Sequence, residues 1–251
     1  MKLHFKKYQA TGNDFVLLDN RNGSIKLSVE DVKRICDRRF VIGADGLMLI
    51  EKHPSLDFNL VYYNSDGSQS LCGNGTRAAM KMASSLGIVN GKASFNAFDG
   101  PHQAEITDDV VKVKMSDVSV PMNSDFINTG SPHVIKFVTG LDNYPVFNEG
   151  RTIRNENNAN ANFVELQADN SIYVRTYERG VEDETLSCGT GVTAAALASY
   201  FKGHTSPVAI KTLGGKLSVQ FTAKASGHTV TFTDIFLIGP AKMVFEGDLE
   251  L

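Results

Sequence analysis

Cys72-Gly73-Asn74-Gly75-Thr76-Arg77-Ala78-Ala79 decides how this chain is read, because Cys188-Gly189-Thr190-Gly191-Val192-Thr193-Ala194-Ala195 repeats it 116 positions later (72 to 188). Each copy follows a strand-like run ending in tyrosine: Asn59-Leu60-Val61-Tyr62-Tyr63 and Ile172-Tyr173-Val174-Arg175-Thr176-Tyr177. A second echo pairs Gly12-Asn13-Asp14-Phe15-Val16 with Gly130-Ser131-Pro132-His133-Val134, at an offset of 118 (12 to 130). Two independent echoes at nearly one spacing are the mark of an internal duplication. The chain therefore divides into two halves on one plan, with the boundary at Asp117-Val118-Ser119-Val120-Pro121.

Working outward, each half is mostly strand with two helices. Leu3 to Tyr8, Phe15 to Asp19, Leu47 to Ile50, Phe58 to Tyr63, Ala93 to Phe98, Gln103 to Ile106 and Val110 to Met115 have strand composition. Ser28-Val29-Glu30-Asp31 has capping-box spacing, and Val32, Ile35 and Cys36 form one helical face. A second helix begins at the first Cys-Gly segment and runs to about Leu86, with Gly87 as its natural stop. Its counterpart runs from Gly189 to about Phe201, is apolar or small nearly all round, and is therefore expected to be buried within its own half. Gly214-Gly215 marks a hairpin. Asn157-Asn158-Ala159-Asn160-Ala161-Asn162 reads as an asparagine-rich loop. The fold class expected is α/β (α+β): two pseudo-symmetric halves, each a curved, mostly antiparallel, barrel-like sheet around a central helix.

Composition limits the function classes. The chain has 251 residues, a net charge of −3, 42% hydrophobic and 21% charged residues, which is the balance of a globular protein. No basic run offers the footprint that nucleic acid demands. The longest apolar runs, such as Phe15-Val16-Leu17-Leu18, fall far short of the roughly 18 residues of a membrane span, and the segment after Lys2, Lys6 and Lys7 lacks a signal-peptide core. Three cysteines do not make a disulfide framework. A soluble, cytoplasmic protein is expected.

The paired cysteines carry the chemistry. Each sits at the first turn of a helix, whose positive end favours a thiolate and can bring a cysteine pKa from about 8.5 into the range ~3.5–7.5. Glycine beside it lets a ligand approach the backbone N–H groups, an arrangement suited to a carboxylate or phosphate. Two such units facing one bound carbon would let one sulfur remove a proton from one face while the other returns one to the opposite face. A matched pair in both repeats outweighs the ordinary reading of a Cys-Gly before a helix as packing. Cys36 has no echo and belongs to the core, and Tyr62, Tyr63 and Tyr177 read as strand packing.

Tyr63-Asn64-Ser65-Asp66-Gly67-Ser68, followed by Cys72-Gly73-Asn74-Gly75-Thr76-Arg77, resembles the first signature of the diaminopimelate epimerases. Tyr177-Glu178-Arg179-Gly180-Val181-Glu182-Asp183-Glu184-Thr185, followed by Cys188-Gly189-Thr190-Gly191, resembles the second. Thr11-Gly12-Asn13-Asp14-Phe15 and, near the end, Gly239-Pro240-Ala241 with Phe245-Glu246-Gly247 are also similar, so the likeness spans the chain. It implies a cofactor-independent epimerase, with no metal, that interconverts LL- and meso-2,6-diaminopimelate for lysine and peptidoglycan precursors. It further implies a homodimer, and two domains: 1–117 with 238–251, and 118–237. By the same resemblance Cys72 is the proton donor and Cys188 the acceptor in the LL-to-meso direction. Gly73, Asn74, Gly189 and Thr190 would hold the reacting carboxylate. Asn13, Asn64, Asn160, Glu178 and Arg179 would bind substrate, with Asn162 the alternative to Asn160. His133 and Glu178 would adjust the thiol pKa values. Two departures bear on substrate contacts: Ser131 stands where the family often has Asn, and Gly46 where some members have Gln.

Rival readings are a proline racemase or hydroxyproline epimerase, and a redox-sensing or ligand-binding protein that uses its thiols without turnover. The first rival typically has His at the position of Asn74, and its pyrrolidine substrate has no second amino-acid end for Arg179 to read. A pyridoxal enzyme is disfavoured because two thiols already supply both protonic roles.

Overall fold

The computed structural model describes residues 2–70 and 72–251. The chain opens with β1 (Lys2–Ala10), β2 (Asn13–Asp19), α1 (Val29–Cys36), β3 (Gly46–Glu51) and β4 (Phe58–Asn64). It continues through α2 (Gly73–Ser85), β5 (Lys92–Ala97), β6 (Gly100–Thr107) and β7 (Val110–Lys114). Next come β8 (Val118–Pro121), β9 (Phe126–Asn128), β10 (Pro132–Phe137), α3 (Val146–Asn157), β11 (Asn160–Leu166) and β12 (Ser171–Glu178). Then follow β13 (Asp183–Thr185), α4 (Gly189–Tyr200), β14 (Val208–Thr212), β15 (Gly215–Ser226), β16 (Thr229–Pro240) and β17 (Lys242–Glu250). The chain forms two compact units: residues up to Val113 with Gly239–Leu251, and Lys114–Ile238.

In the first unit the strands lie in the order β17-β1-β2-β3-β4-β5-β6-β7. The pairs β2–β3 and β4–β5 are parallel and the others antiparallel. A parallel pair needs a crossover, and α1 and α2 supply the two. In the second unit the order is β9-β10-β11-β12-β14-β15-β16-β8, with β10–β11 and β12–β14 parallel. Here α3 and α4 make the crossovers, and β13 adds to β12. The duplication seen in the sequence recurs in the topology for seven strands, β1 to β7 matching β9 to β12 and β14 to β16, while the eighth adds beside β1 as β17 in the first unit and beside β16 as β8 in the second.

The central helices explain the curvature. α2 packs against β1, β2, β3, β6 and β17, strands from both ends of its sheet, so that sheet curls around it. α4 meets β9, β10, β11, β12, β14 and β15 in the same way. Every residue of α4 from Gly191 to Ser199 is buried. Its alanines let strands come close on all sides, while burying Val192 and Leu197 contributes about 1.5–3 kcal/mol each. α2 instead buries a polar edge, Asn74, Thr76 and Arg77, beside Ala78, Ala79 and Met80. Among the described residues no helix is long and apolar enough to cross a membrane.

The second helix expected in the second half is α3, whose position the sequence did not mark: it lacks a side-chain N-cap and carries Gly150 in its middle, so the usual helix signals are weak. Gly150 is there for packing: a Cβ on it would lie 2.3 Å from Tyr177 Cβ. The asparagine-rich stretch is not a loop. Asn157 closes α3, Asn158 makes the turn with φ 49°, and Asn160 and Asn162 open β11 beside β10.

Candidate active site

The two units build their cysteine sites from corresponding parts. The starts of two parallel strands (β2 and β3, or β10 and β11), the end of the strand that leads into the central helix, and that helix's first turn supply the residues. Cys72 and Cys188 are the N-cap residues of α2 and α4, both with extended backbone (φ −127° and −115°). The next N–H groups lack acceptors within the helix, and the helix dipole adds positive potential, so each start can hold an anion.

In the first unit Cys72 Sγ accepts from Gly75 N at 3.4 Å and reaches Asn13 Oδ1 at 3.6 Å. Asn74 Nδ2 donates to the same Asn13 oxygen at 3.3 Å. Asn13 is oriented from behind, since its Nδ2 donates to Asp45 at 2.6 Å. Asp45 in turn accepts from Arg38 at 2.7 Å, and Arg38 also grips Asp14, which pairs with Lys7 at 2.8 Å. Burial alone would raise the Asp14 pKa, but Arg38 and Lys7 outweigh it and hold the carboxyl well below the usual carboxylate range. Asn64 ends β4 and donates to Ser68 Oγ at 3.0 Å and Ser70 Oγ at 3.2 Å, tying the turn that follows. Arg77 is fully buried in the first turns of α2 and donates to Thr11 Oγ1 at 3.0 Å and Asn74 Oδ1 at 2.9 Å.

In the second unit Cys188 Sγ lies 3.5 Å from the Thr190 hydroxyl. That hydroxyl is 2.9 Å from His133 Nε2 and 3.1 Å from Ser131 Oγ, and Ser131 Oγ is itself 2.9 Å from His133 Nε2. On the other side of the ring His133 Nδ1 meets Asn162 Nδ2 at 3.0 Å. The Asn162 oxygen already accepts from Thr176 Oγ1 at 3.0 Å, so the amide presents its NH2 to the ring. Nδ1 is therefore the acceptor and Nε2 carries the proton, an assignment made from the hydrogen-bond network. Nε2–H is directed at the Thr190 and Ser131 hydroxyls, each 2.9 Å away, and the Thr190 hydroxyl in turn lies 3.5 Å from Cys188 Sγ. Burial, with a smaller effect from Arg179, pushes His133 down to about 3, so the imidazole is neutral near pH 7. It supports the thiol site as a hydrogen-bond donor.

Asn160 is buried, and its amide is committed within the protein. Its Nδ2 donates to Pro132 O at 3.0 Å and its Oδ1 accepts from Arg179 N at 2.9 Å, joining the start of β10 to the end of β12. Arg179 is exposed and donates to Asn158 O at 3.0 Å. Glu178 is the last residue of β12, directly before it. Ser131 keeps a polar contact where Asn is common in the family, reaching both His133 and Thr190. At Gly46 a Cβ would lie 2.5 Å from Tyr62 Cε2, so the tyrosine ring occupies the room a larger residue would need. Cys36 lies in the core cluster with Val32 and Ile35, and burial pushes its thiol up to about 11.

The second glycines of the two motifs face protein, not a ligand. A Cβ on Gly191 would lie 2.4 Å from Asn162 Oδ1, and one on Gly75 2.9 Å from Met48 Cε. Several residues behind the thiols, Arg77, Asp45 and Thr176, were given no role by sequence reasoning. Arg77 left one legible signal: a charge directly before Ala78-Ala79-Met80 in a helix expected to be packed.

Comparison with known proteins adds the context of relatives. The sequence model of the family described as Diaminopimelate epimerase matches residues 5–121 and 126–244. A diaminopimelate epimerase of Flavobacterium psychrophilum is 47% identical, covering 98% of this chain and 99% of that protein. Another, from Chlorobaculum tepidum, is 40% identical over 96% of this chain and 98% of its own. Among solved structures, a Bacillus anthracis phenazine biosynthesis protein of the PhzF family has a TM-score of 0.75 at 15% identity, each chain covered completely. A hydroxyproline epimerase from Agrobacterium vitis, with bound trans-4-hydroxy-L-proline, has a TM-score of 0.73 at 13% identity, covering 100% of this chain and 93% of its own. At those identities the two structures share the fold with this chain.

Proposed function

The chain belongs to the diaminopimelate epimerase family and is an isomerase of the epimerase type; on that premise we propose that it interconverts LL- and meso-2,6-diaminopimelate with two thiols and no cofactor. In the LL-to-meso direction Cys188, as thiolate, takes the α-proton, and Cys72, as thiol, delivers its proton to the opposite face. The roles exchange in reverse. Removing the α-proton leaves a carbanion whose charge spreads into the adjoining carboxylate, and the N–H groups of Gly73, Asn74, Gly189 and Thr190 stabilise that charge. Arg179 reads the distal carboxylate, assisted by Asn13, Asn64, Asn160 and Glu178, while His133 and Glu178 adjust the thiols. The product would feed lysine and peptidoglycan precursor synthesis.

The observation that carries this reading is that each unit, taken by itself, presents a cysteine as the N-cap of its buried central helix. Both positions favour a thiolate and an anion together. A redox sensor would need the thiols but not two anion-holding helix starts.

The test is incubation of the purified protein with LL-diaminopimelate in D₂O without added cofactor, followed by chiral and mass analysis. Meso product should carry deuterium at the inverted carbon from the first turnovers, because a thiol exchanges its proton with solvent before substrate binds. Recovered LL substrate should carry almost none, since each thiol serves one face. Cys72→Ala and Cys188→Ala should each abolish inversion. Early substrate that fills with deuterium as fast as product, or a Cys188→Ala protein near wild-type rate, would sink the two-thiol reading. Turnover of proline or 4-hydroxyproline in place of diaminopimelate would replace the substrate.

A further inference from the structure

Arg77 is an unusual residue to find where it is. Its side chain is fully buried, and it lies near the N-terminus of α2, the end of a helix that disfavours a cation. Its four hydrogen bonds all go to neutral oxygens: Thr11 Oγ1, Asn74 Oδ1, Gly73 O at 3.4 Å and Pro240 O at 3.5 Å. Among the described residues no carboxylate lies within ion-pair distance of it. Charged groups on the surrounding segments are matched with one another: Asp14 with Lys7 and Arg38, Asp45 with Arg38, and Lys81 with Asp109. Tyr8, on β1, turns its hydroxyl to Ser85 at the far end of α2. A buried, unmatched cation is costly, and a nearby negative charge is what makes it tolerable.

The guanidinium's bonds lead to Cys72, whose thiol can carry a negative charge. The guanidinium bonds the carbonyl of Gly73, the residue next to Cys72, and holds Asn74, whose amide shares the Asn13 oxygen with Cys72 Sγ. Burial pushes the Arg77 pKa down, to about 10, and interaction with Cys72 is the one influence opposing that fall. The attraction is mutual, so the guanidinium favours the Cys72 thiolate as much as the thiolate favours the guanidinium. The second unit has no equivalent. The position matching Arg77 in the repeat is Thr193, also fully buried, whose hydroxyl donates to Gly189 O at 2.9 Å.

We propose that Arg77 is the counter-charge of the Cys72 thiolate, and that it makes Cys72, rather than Cys188, the thiol ionised first in the substrate-free protein. Arg77 is thereby a positioning residue: its donors are occupied by protein oxygens and it acts through Cys72 and Asn74. The ionised Cys72 form is the one ready to take a proton, so the resting protein is poised for the meso-to-LL direction. That consequence rests on the two-thiol reading; the assignment of charge does not.

The test is the pH dependence of alkylation by iodoacetamide, with Cys72 and Cys188 followed separately by peptide mass mapping in the absence of substrate. Midpoints are compared, so differences in accessibility cancel. In the wild-type protein Cys72 should reach its midpoint at least one pH unit below Cys188. Arg77→Met should raise the Cys72 midpoint by at least one unit, a tenfold loss of thiolate at pH values below both midpoints, and leave Cys188 in place. Arg77→Lys should recover at least half of the shift. A wild-type Cys72 midpoint at or above that of Cys188 overturns the proposal, even if Arg77→Met does not fold. So does a folded Arg77→Met protein in which Cys72 is unmoved or both thiols move equally. None of these readouts depends on epimerase activity, so failure here is distinguishable from failure of the two-thiol reaction.

Discussion

His133 Nδ1 and Asn162 Nδ2 are 3.0 Å apart, and this contact sets which ring nitrogen carries the proton. The two residues start from neighbouring parallel strands, β10 and β11, where His133 pairs with Asn160 and Ile135 with Asn162. Because Thr176 holds the Asn162 oxygen, the amide cannot turn over without losing that bond. The imidazole is thereby fixed as a donor toward the Thr190 and Ser131 hydroxyls, the first of which faces Cys188. Asn162 thus acts on the thiol from two residues away.

Replacing Asn162 by Asp tests that chain. A carboxylate at Nδ1 favours the imidazolium, so the His133 pKa should rise from about 3 toward the ordinary range near 6.5. The charged ring then dominates as pH falls through the new pKa, and kcat should fall there by on the order of tenfold to hundredfold. In the wild-type protein no acid limb from His133 is expected between pH 5 and 8. NMR of the His133 Cε1–H resonance beside the pH–rate profile checks both; a flat resonance in Asn162→Asp contradicts the prediction.

Gly191→Ala should disturb the same chain through packing. The new methyl would lie 2.4 Å from Asn162 Oδ1 and 3.3 Å from His133 Cε1, so the asparagine must move. Overpacking of this kind costs about 1–3 kcal/mol, readable as a lower urea midpoint at unchanged m-value. Activity should fall further than stability alone explains, because the His133 tautomer loses its anchor. Wild-type kcat in the alanine protein would mean that Asn162 does not set the ring.

Arg179→Ala should separate substrates. Removing a charge-assisted contact to the distal carboxylate should cost on the order of 1.5–3 kcal/mol in kcat/KM for diaminopimelate. For an analogue lacking that carboxylate the loss should be much smaller. Equal losses for the two would show that Arg179 is not the distal reader.

Local pattern was enough for much of this protein. The duplication, the cysteines at two helix starts and the capping box at Ser28 are properties of short stretches, and each appears where the sequence puts it; Asp31 N donates to Ser28 Oγ at 3.1 Å and Ser28 N to Asp31 at 2.9 Å. Capping and helix starts are decided within four residues, so the residues themselves state them. The position of α3, the second helix expected in that half, escaped because Gly150 answers to Tyr177, 27 positions away in the chain (150 to 177), and not to its own helix. Asn160 and Asn162 looked like loop residues because asparagine is poor strand material; pairing with β10 overrides that preference. The burial of Arg77 and the tautomer of His133 were settled only by tertiary structure, for a common reason. A charge or a ring proton takes its state from the groups that surround it after burial, and those groups come together from Thr11, Pro240, Asn162 and Thr176 only when distant strands close around a helix.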